Sequence, residues 1–262
     1  MKPRIAIPVP HSEREYAHRA LAQYEQAVRT AGGEPVIIPL EPGNAAIAQA
    51  GKRCDGILLP GSKADVDPQK YGAARDPRTA ASDPPRDNVD ELLLQDAYNM
   101  RKPIFGICYG LQSLNVWRTG TLVQHIESEI NHAVGRQARR AHSVTIEHGS
   151  RLAGIIAPAR EFEALMCAPV QPLALTVNSS HHQAAATAGD GLRVVAHAED
   201  GIIEALEGTA PDHFVLAVQW HPERSFEEDE ASRALFQAFV QAARLRHEQP
   251  RTPLPDFESL SR

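Results

Sequence analysis

The chain has 262 residues, of which 42% are hydrophobic, enough to build the core of one large α/β domain or of two small ones. Its formal net charge is −6 and no basic run is longer than a pair such as Arg139-Arg140, so we expect neither a nucleic acid nor a membrane surface as a partner. The three scattered cysteines argue against a disulfide framework, and we expect a cytoplasmic protein without a signal peptide or a membrane span.

The first half of the chain alternates strand and helix patterns. Apolar residues recur at helical spacing from Ala17 to Ala31, and Gly32-Gly33 ends that helix. Further helix patterns follow Asp87 and Cys108. The short apolar runs typical of buried strands are residues 5–9, 36–39, 56–59 and 103–108. This alternation predicts an α/β fold with a mostly parallel sheet, helices on both faces, and a ligand site at the carboxyl ends of the strands.

Strand patterns dominate the second half, which predicts a smaller antiparallel β section. They cover residues 142–147, 173–177, 192–198, 202–206 and 214–220. Asp200-Gly201 is typical of a hairpin turn, and a helix pattern begins at Ala231. We predict a single domain over residues 1–247 and a loose, proline-containing tail over residues 248–262.

Residues 62–86 form an unusually long segment between a predicted strand and the helix that follows it. The segment is rich in Pro, Asp and Gly. Loops of this length inside a compact domain are usually functional or disordered. A lid over a ligand site and a static, solvent-exposed loop are equally good interpretations.

The motif Gly106-Ile107-Cys108-Tyr109-Gly110 places a cysteine between a strand and a helix. A tight strand-to-helix turn needs small neighbours, so we expect Cys108 to project from the turn and to be exposed. The amino-terminal end of the helix would then favour the thiolate and lower the pKa of Cys108. On this pentapeptide alone, a nucleophile and a small buried cysteine are equally good interpretations.

His221 and Glu223 follow the last predicted strand, in the motif Gln219-Trp220-His221-Pro222-Glu223. A thiol nucleophile needs a partner that exchanges a proton near pH 7, which histidine does. Glu223 would orient the imidazole and stabilise its cationic form. Because the chain has 12 histidines, an ordinary polar surface loop is the alternative.

Gly61 follows a third predicted strand, in Leu58-Leu59-Pro60-Gly61-Ser62. The backbone N–H groups of Gly61 and Tyr109 would donate to the oxygen that becomes negative when a thiolate adds to a carbonyl. A plain turn is the alternative. The three segments are predicted to end at the same edge of the sheet, as a site requires.

The adjacent pair His181-His182 is the one pattern that suggests a metal ion. Neighbouring side chains on an extended segment point to opposite faces, and no third ligand is spaced to match. The sequence therefore predicts no metal site.

Together these segments resemble the class I glutamine amidotransferase family, of the peptidase C26 type, and within it the branch of stand-alone γ-glutamyl hydrolases typified by γ-glutamyl-γ-aminobutyrate hydrolase. The resemblance implies a flavodoxin-like α/β domain. It rests on several spaced motifs in the same order. These are residues 31–33, 58–67, 86–87, 106–112, 178–183, 200–204 and 219–223.

The resemblance implies a Cys-His-Glu triad of Cys108, His221 and Glu223, with Gly61 and Tyr109 as the oxyanion hole. By position within the family motifs, Gln112, Ser180 and the main chain near His182 would hold the α-amino and α-carboxylate groups of a glutamyl substrate. No metal or organic cofactor is expected. The expected partner is a small γ-glutamyl molecule, and a homodimer is compatible with this interpretation.

Three departures from the family pattern concern the pocket and leave the triad intact. Ser62 replaces a second glycine, Tyr109 stands where this branch often has an arginine, and Thr119-Gly120 replaces a pair of glycines. They leave open which amine the leaving-group side of the pocket prefers.

Three functions are compatible with these residues. The first, which we favour, is a self-sufficient hydrolase of small γ-glutamyl amines that works through a γ-glutamyl thioester on Cys108. The second is a glutaminase subunit that supplies ammonia to a separate synthase. The third is a non-catalytic binding or regulatory protein with the same fold. The amine released by the hydrolase, whether γ-aminobutyrate, a polyamine-derived product or ammonia, stays open.

Overall fold

A nine-stranded mixed sheet forms the centre of the protein, seen here in a computed structural model that describes residues 1–157 and 173–248. The strand order is β2-β1-β3-β4-β11-β10-β9-β6-β7. The first five strands in this order run parallel, and the last four extend the sheet through antiparallel pairs. The strands are β1 Arg4–Pro8, β2 Glu34–Ile38, β3 Gly56–Leu59, β4 Ile104–Ile107, β5 Thr121–Val123, β6 His142–Ile146, β7 Leu173–Val177, β8 Ala184–Thr187, β9 Leu192–Ala198, β10 Ile203–Gly208 and β11 Val215–Val218.

Helices cover both faces of this sheet. They are α1 Arg14–Thr30, α2 Asn44–Lys52, α3 Pro84–Asn99, α4 Tyr109–Trp117, α5 Arg151–Ile156, α6 Pro222–Ser225 and α7 Glu230–Glu248. On β1, Ile5 and Ile7 pack in the hydrophobic cluster that contains residues of α1, α5 and α7, whereas Ala6 packs in the cluster that contains residues of α2, α3 and α4. Successive side chains of a strand point to opposite faces, so one strand contributes to both halves of the core.

Hydrogen bonds and small residues fix where the helices begin and end. Asp83 caps α3 by accepting the backbone N–H of Arg86, and the helix opens with proline in its first turn, where no N–H partner is needed. After α1, Gly32 has a φ of 92°, the left-handed conformation that ends a helix and that glycine adopts without strain.

The topology brings the three predicted site segments to one edge of the sheet. β4 pairs in parallel with both β3 and β11, so the residues that follow Leu59, Ile107 and Val218 leave the sheet side by side. The predicted α/β fold is therefore confirmed.

The antiparallel β section predicted for the second half is confirmed: β10, β9, β6 and β7 extend the main sheet, and β5 and β8 form a separate two-stranded sheet. Other elements differ from the sequence expectation. The helix α2 was not predicted. Of the predicted tail, Glu248 is the last residue of α7, and residues 249–262 lie outside the described residues.

The long segment before α3 is held by polar contacts. Asp65 accepts the backbone N–H of Ala80 at 2.6 Å, and the side chain of Gln124 accepts hydrogen bonds of 2.8 Å from Thr79 and from the backbone of Asp76. A short 3₁₀ helix covers Pro68–Tyr71. Whether this segment moves as a lid stays a prediction.

Two further findings bear on the sequence expectations. Cys54 and Cys108 are free and buried, while Cys167 lies outside the described residues. Within the described ranges, no helix has the length and apolar character that crossing a membrane requires.

Candidate active site

Cys108 lies at a strained turn between β4 and α4. Its φ is 52° and its ψ is −106°, a conformation that costs a non-glycine residue about 1–3 kcal/mol. The turn requires small neighbours, because a Cβ on Gly110 would lie 2.1 Å from the carbonyl oxygen of Leu59 and one on Gly106 would lie 2.9 Å from the backbone of Gly110. Strained backbone conformations of this kind are concentrated at active sites, where the surrounding structure holds them. The strain at Cys108 therefore favours the nucleophile interpretation.

Two expectations about Cys108 are wrong in this structure. The residue is only 5% exposed, rather than projecting into solvent. Burial raises the pKa of its thiol to about 12, and the nearby Arg224 cation and the N–H of Tyr109 offset only part of that effect. The free-energy cost of removing a thiolate from water is larger than the stabilisation that the amino-terminal end of α4 would give it. The resting side chain is therefore a neutral thiol.

His221 and Glu223 form a hydrogen-bonded pair just beyond β11. Nδ1 of His221 donates to Oε1 of Glu223 at 2.8 Å, and both side chains are buried. Asn178 fixes the backbone of His221 from both sides, accepting from its N–H at 2.9 Å and donating to its carbonyl at 2.8 Å. Because Nδ1 carries the proton that Glu223 accepts, the lone pair of the imidazole is on Nε2.

The charges of this pair depend on its surroundings. Burial lowers the pKa of His221 and so does Arg224, whereas Glu223 raises it, and the net direction is down. Burial raises the pKa of Glu223, but its interactions with His221 and Arg224 bring it below the usual range. The imidazole is therefore ready to accept a proton beside a carboxylate that stays ionised.

Gly61 marks the place where Cys108 and His221 approach each other. A Cβ built on Gly61 would lie 2.9 Å from Cε1 of His221 and 3.5 Å from Cβ of Cys108. Cys108 and His221 therefore both border the space beside the Cα of Gly61. Among the described residues, the hydrogen-bond partner of Nε2 is the guanidinium of Arg224, at 3.1 Å, and not Cys108.

The two predicted oxyanion donors, the N–H groups of Tyr109 and Gly61, have different surroundings. The N–H of Tyr109 acts on the sulfur of Cys108 and lowers the pKa of its thiol, although burial outweighs this effect. The N–H of Gly61 donates instead to the hydroxyl of Tyr24 at 3.0 Å. An oxyanion at this position would have to replace the Tyr24 hydroxyl as acceptor.

A buried arginine, Arg86, hydrogen-bonds to the backbone of the Gly61 loop. Arg86 donates to the carbonyl oxygens of Pro60 and Pro10, both at 2.8 Å, and pairs with Asp90 at 2.7 Å. Its guanidinium also lies 5.1 Å from the centre of the Tyr109 ring. Arg86 therefore links the residue before Gly61 to the residue after Cys108.

The three residues predicted to hold the substrate differ in their burial and in their contacts. Gln112 is buried, and its amide nitrogen donates to the carbonyl of Gln183 at 3.1 Å, so it supports the loop that contains Ser180 and His182. Ser180 is partly exposed. The His182 side chain contacts Asp65 at 3.1 Å, and its carbonyl accepts the N–H of Ile126. Their contacts with a substrate stay predictions.

Sequence reasoning missed two side chains of this site. Tyr24 contributes an apolar ring to the buried face of α1, and nothing in the pattern indicates that its hydroxyl reaches Gly61. Arg224 directly follows Glu223, and its proximity to the predicted triad was the one available signal. Its contact with His221 depends on the short helix α6, which was not predicted.

Comparisons with known proteins identify relatives along most of the chain. The peptidase C26 family model matches residues 7–223. The γ-glutamyl-γ-aminobutyrate hydrolase of Escherichia coli (strain K12) is 34% identical over 233 residues, covering 84% of each chain. A glutamine amidotransferase-like protein of Rickettsia prowazekii is 32% identical over 250 residues, covering 84% of this chain and 88% of its own.

Solved structures show the same fold at lower identity. A GMP synthase component of Thermoplasma acidophilum aligns with a TM-score of 0.61 and 16% identity, covering 95% of this chain and 97% of its own. The CTPS glutaminase domain of Trypanosoma brucei, solved with bound acivicin, aligns with a TM-score of 0.60 and 18% identity, covering 93% and 94% of the two chains. At these identities the likeness shows the fold alone.

Proposed function

This chain belongs to the peptidase C26 family of class I glutamine amidotransferase-like proteins, and we propose that it hydrolyses the γ-glutamyl amide bond of small γ-glutamyl amines. Cys108 is the nucleophile, His221 the general acid and base, and Glu223 the carboxylate that orients His221. The products are glutamate and a free amine.

One observation carries the proposal. A cysteine with a φ of 52° ends one strand, and an imidazole hydrogen-bonded to a buried carboxylate follows the adjacent parallel strand. A buried cysteine that served only packing would not require a strained backbone. A surface loop would not bury both His221 and Glu223.

The raised pKa of Cys108 defines the first step. Since the resting side chain is a thiol, its proton passes to Nε2 of His221 as the sulfur attacks the γ-carbonyl carbon. The carbonyl oxygen becomes an oxyanion, which the N–H groups of Tyr109 and Gly61 stabilise. Glu223 stabilises the imidazolium.

The second half of the reaction uses the same imidazole. The imidazolium returns its proton to the amine nitrogen as the carbon–nitrogen bond breaks, which leaves a γ-glutamyl thioester on Cys108. His221 then takes a proton from water, whose oxygen attacks the thioester carbonyl. The sulfur leaves with that proton, and glutamate is released.

The relatives favour a small substrate but do not define the amine. The E. coli relative is named for its action on γ-glutamyl-γ-aminobutyrate, and we extend that chemistry to this chain as a class. No metal or organic cofactor takes part in the proposed steps. The enzyme would act without a partner protein in a cytoplasmic setting.

A panel of γ-glutamyl amides tests the proposal, with glutamate release measured for the purified chain and for Cys108→Ala. We expect release from at least one small γ-glutamyl amine by the wild type and none by Cys108→Ala. Cys54→Ala is the matched control, since Cys54 is also a free, buried cysteine, and it should retain activity.

Other outcomes identify the alternative functions. Slow release from glutamine alone would indicate a glutaminase subunit that needs a synthase partner. Absence of release from every substrate, together with no labelling of Cys108 by a glutamine-analogue electrophile, would indicate a binding protein. Equal release by the wild type and Cys108→Ala would overturn the proposal.

A further inference from the structure

Three histidines surround one buried glutamate near the carboxyl-end edge of the sheet. Oε1 of Glu204, on β10, lies 3.1 Å from Nε2 of His142, 3.2 Å from Nδ1 of His132 and 3.6 Å from Nε2 of His181. The four side chains are between 0% and 4% exposed. Glu204 closes the 200–204 motif, which the proposed reaction does not use.

The outer contacts of two of these imidazoles determine which nitrogen has the proton. Nε2 of His132 faces the carboxylate of Asp200 at 2.9 Å, and Nδ1 of His181 faces the backbone carbonyl of Gln183 at 2.9 Å. Carboxylates and carbonyls only accept hydrogen bonds, so both of these nitrogens must donate. In the neutral imidazole the opposite nitrogen then has a lone pair.

Those lone pairs converge on the carboxylate of Glu204, whose Oε1 already has a hydrogen-bond partner in Nε2 of His142, at 3.1 Å. Nδ1 of His132, Nε2 of His181 and Oε2 of Glu204 are buried in the described structure without a hydrogen-bond partner. Unpaired acceptors in a buried cluster are unfavourable unless a cation or additional protons satisfy them. The cluster therefore needs positive charge at its centre.

The spacing of these atoms fits a metal ion. The ligand atoms of His132, His142 and Glu204 all lie within 4.8 Å of one another. Zinc bonds of about 2.0–2.1 Å in a tetrahedron separate neighbouring ligand atoms by about 3.3–3.5 Å, close to the distances around Glu204. Asp200 accepts from His132 as an outer carboxylate does in carboxylate–histidine–zinc sites.

We propose that His132, His142 and Glu204 bind a zinc ion, with His181 or a water molecule as the fourth ligand. Imidazole nitrogens with a single carboxylate suit zinc better than magnesium or calcium, which prefer oxygen ligands. The proposal departs from the expectation of no metal, which rested on ligand spacing along the chain. It does not depend on the proposed hydrolase function.

The ion would be structural rather than catalytic. It would link β6, β10 and the segment that contains His132, close to the loop that continues from Asn178 to Gln183. Ser179 of that loop already donates to the backbone carbonyl of His132. Asn178 in turn fixes the backbone of His221, so zinc would stabilise the region that supports the predicted triad.

Zinc content and zinc affinity of the full chain test this inference. We expect about one zinc per chain after purification without a metal-affinity step, and a lower melting temperature after removal by a chelator that added Zn²⁺ reverses. Cobalt(II) in place of zinc should give the visible absorption of a site with nitrogen ligands. His142→Ala should lose both the zinc and the cobalt spectrum.

Two variants make the test robust to misfolding. Asp200→Ala removes only the outer carboxylate of a partly exposed side chain, and it should weaken zinc binding roughly 10- to 100-fold without unfolding the protein. His18→Ala removes an exposed histidine of α1 and should change nothing. A wild-type chain that holds no zinc and gains no thermal stability from added Zn²⁺ would overturn the proposal, as would undiminished zinc binding by both His142→Ala and Asp200→Ala. Either result would mean that protons occupy the cluster.

Discussion

The guanidinium of Arg224 donates a hydrogen bond to Nε2 of His221 over 3.1 Å. Because Nδ1 of His221 donates to Glu223, Nε2 is the nitrogen that takes the proton of Cys108 in the proposed reaction. The guanidinium of Arg224 therefore occupies the lone pair on which the proposed reaction depends. Its Nε also forms an ion pair with Oε1 of Glu223 at 3.4 Å. This position makes Arg224 a positioning residue whose charge acts on both members of the predicted pair.

Arg224→Gln should shift the pH dependence of the reaction to higher pH. Arg224 lowers the pKa of both His221 and Cys108, so its removal raises both. A higher pKa of His221 leaves less neutral imidazole at a given pH, and the acid limb of kcat/KM moves upward. Alkylation of Cys108 by iodoacetamide at fixed pH should become slower.

Arg19→Gln is the control for that experiment, since Arg19 is an exposed residue of α1 that pairs only with Glu15 in the described contacts. It should leave the pH profile and the alkylation rate unchanged. An Arg224→Gln profile that coincides with the wild type would show that the guanidinium does not act on His221 in solution.

Glu223→Gln should reduce kcat by about 10²- to 10⁴-fold with little change in KM, by analogy with neutralised carboxylates of other triads. The side chain keeps its shape but loses the charge that raises the pKa of His221 and stabilises the imidazolium. Steady-state kinetics on the best γ-glutamyl amide measure the effect. Glu228→Gln, on an exposed glutamate that pairs with Arg139, is the matched control. Similar losses in both variants would contradict the assignment of Glu223.

The fold could be predicted because its buried strands carry the apolar runs or apolar alternation that are typical of a sheet. β3, β7 and β9 begin and end at the predicted residues, and each carries an apolar run or alternation. The helix α2 was missed because its nine residues bury only Ile47 and Gly51, too few for a periodic stripe. β8 was missed because its sequence Ala-Ala-Ala-Thr is not typical of strands.

The sequence predicted that the segments with Cys108, His221 and Glu223 meet at one edge of the sheet, because they follow neighbouring strands, and the structure places them there. Their roles stay predictions. The burial of Cys108 could not be predicted, because it depends on the loops that pack over the end of the strand. That is why the thiol pKa of Cys108 was predicted to be low and is raised. The cluster of histidines around Glu204 was also invisible, since its members come from four separate segments of the chain.

Tyr24→Phe should test which role the Gly61 amide has. The substitution removes the hydroxyl that accepts the Gly61 N–H at 3.0 Å, and leaving a buried donor unpaired should cost about 1–3 kcal/mol in the free energy of unfolding. If Gly61 donates to the oxyanion, kcat should not fall, because the competing acceptor is gone. Urea unfolding and kinetics measure the two effects. A drop in kcat of about 100-fold or more would assign the hydroxyl of Tyr24 to the reaction instead.

Gly61→Ala should reduce kcat by about 100-fold, because the space beside Gly61 is shared by the two reacting side chains. The new Cβ would lie 2.9 Å from Cε1 of His221 and 3.1 Å from the hydroxyl of Tyr24, and real Cβ atoms do not approach ring carbons that closely. The imidazole of His221 must therefore shift from its present position, while the thiol itself stays intact. Kinetics should show the loss, and circular dichroism should show a folded protein.

Gly43→Ala is the control that makes this result specific. Gly43 precedes α2 with an ordinary negative φ, and a Cβ there meets nothing within 4 Å, so activity should match the wild type. If Gly61→Ala also retained full kcat, the reaction would not depend on the position of the His221 imidazole. His221 could not then be the proton acceptor for Cys108, since proton transfer requires contact at hydrogen-bond distance.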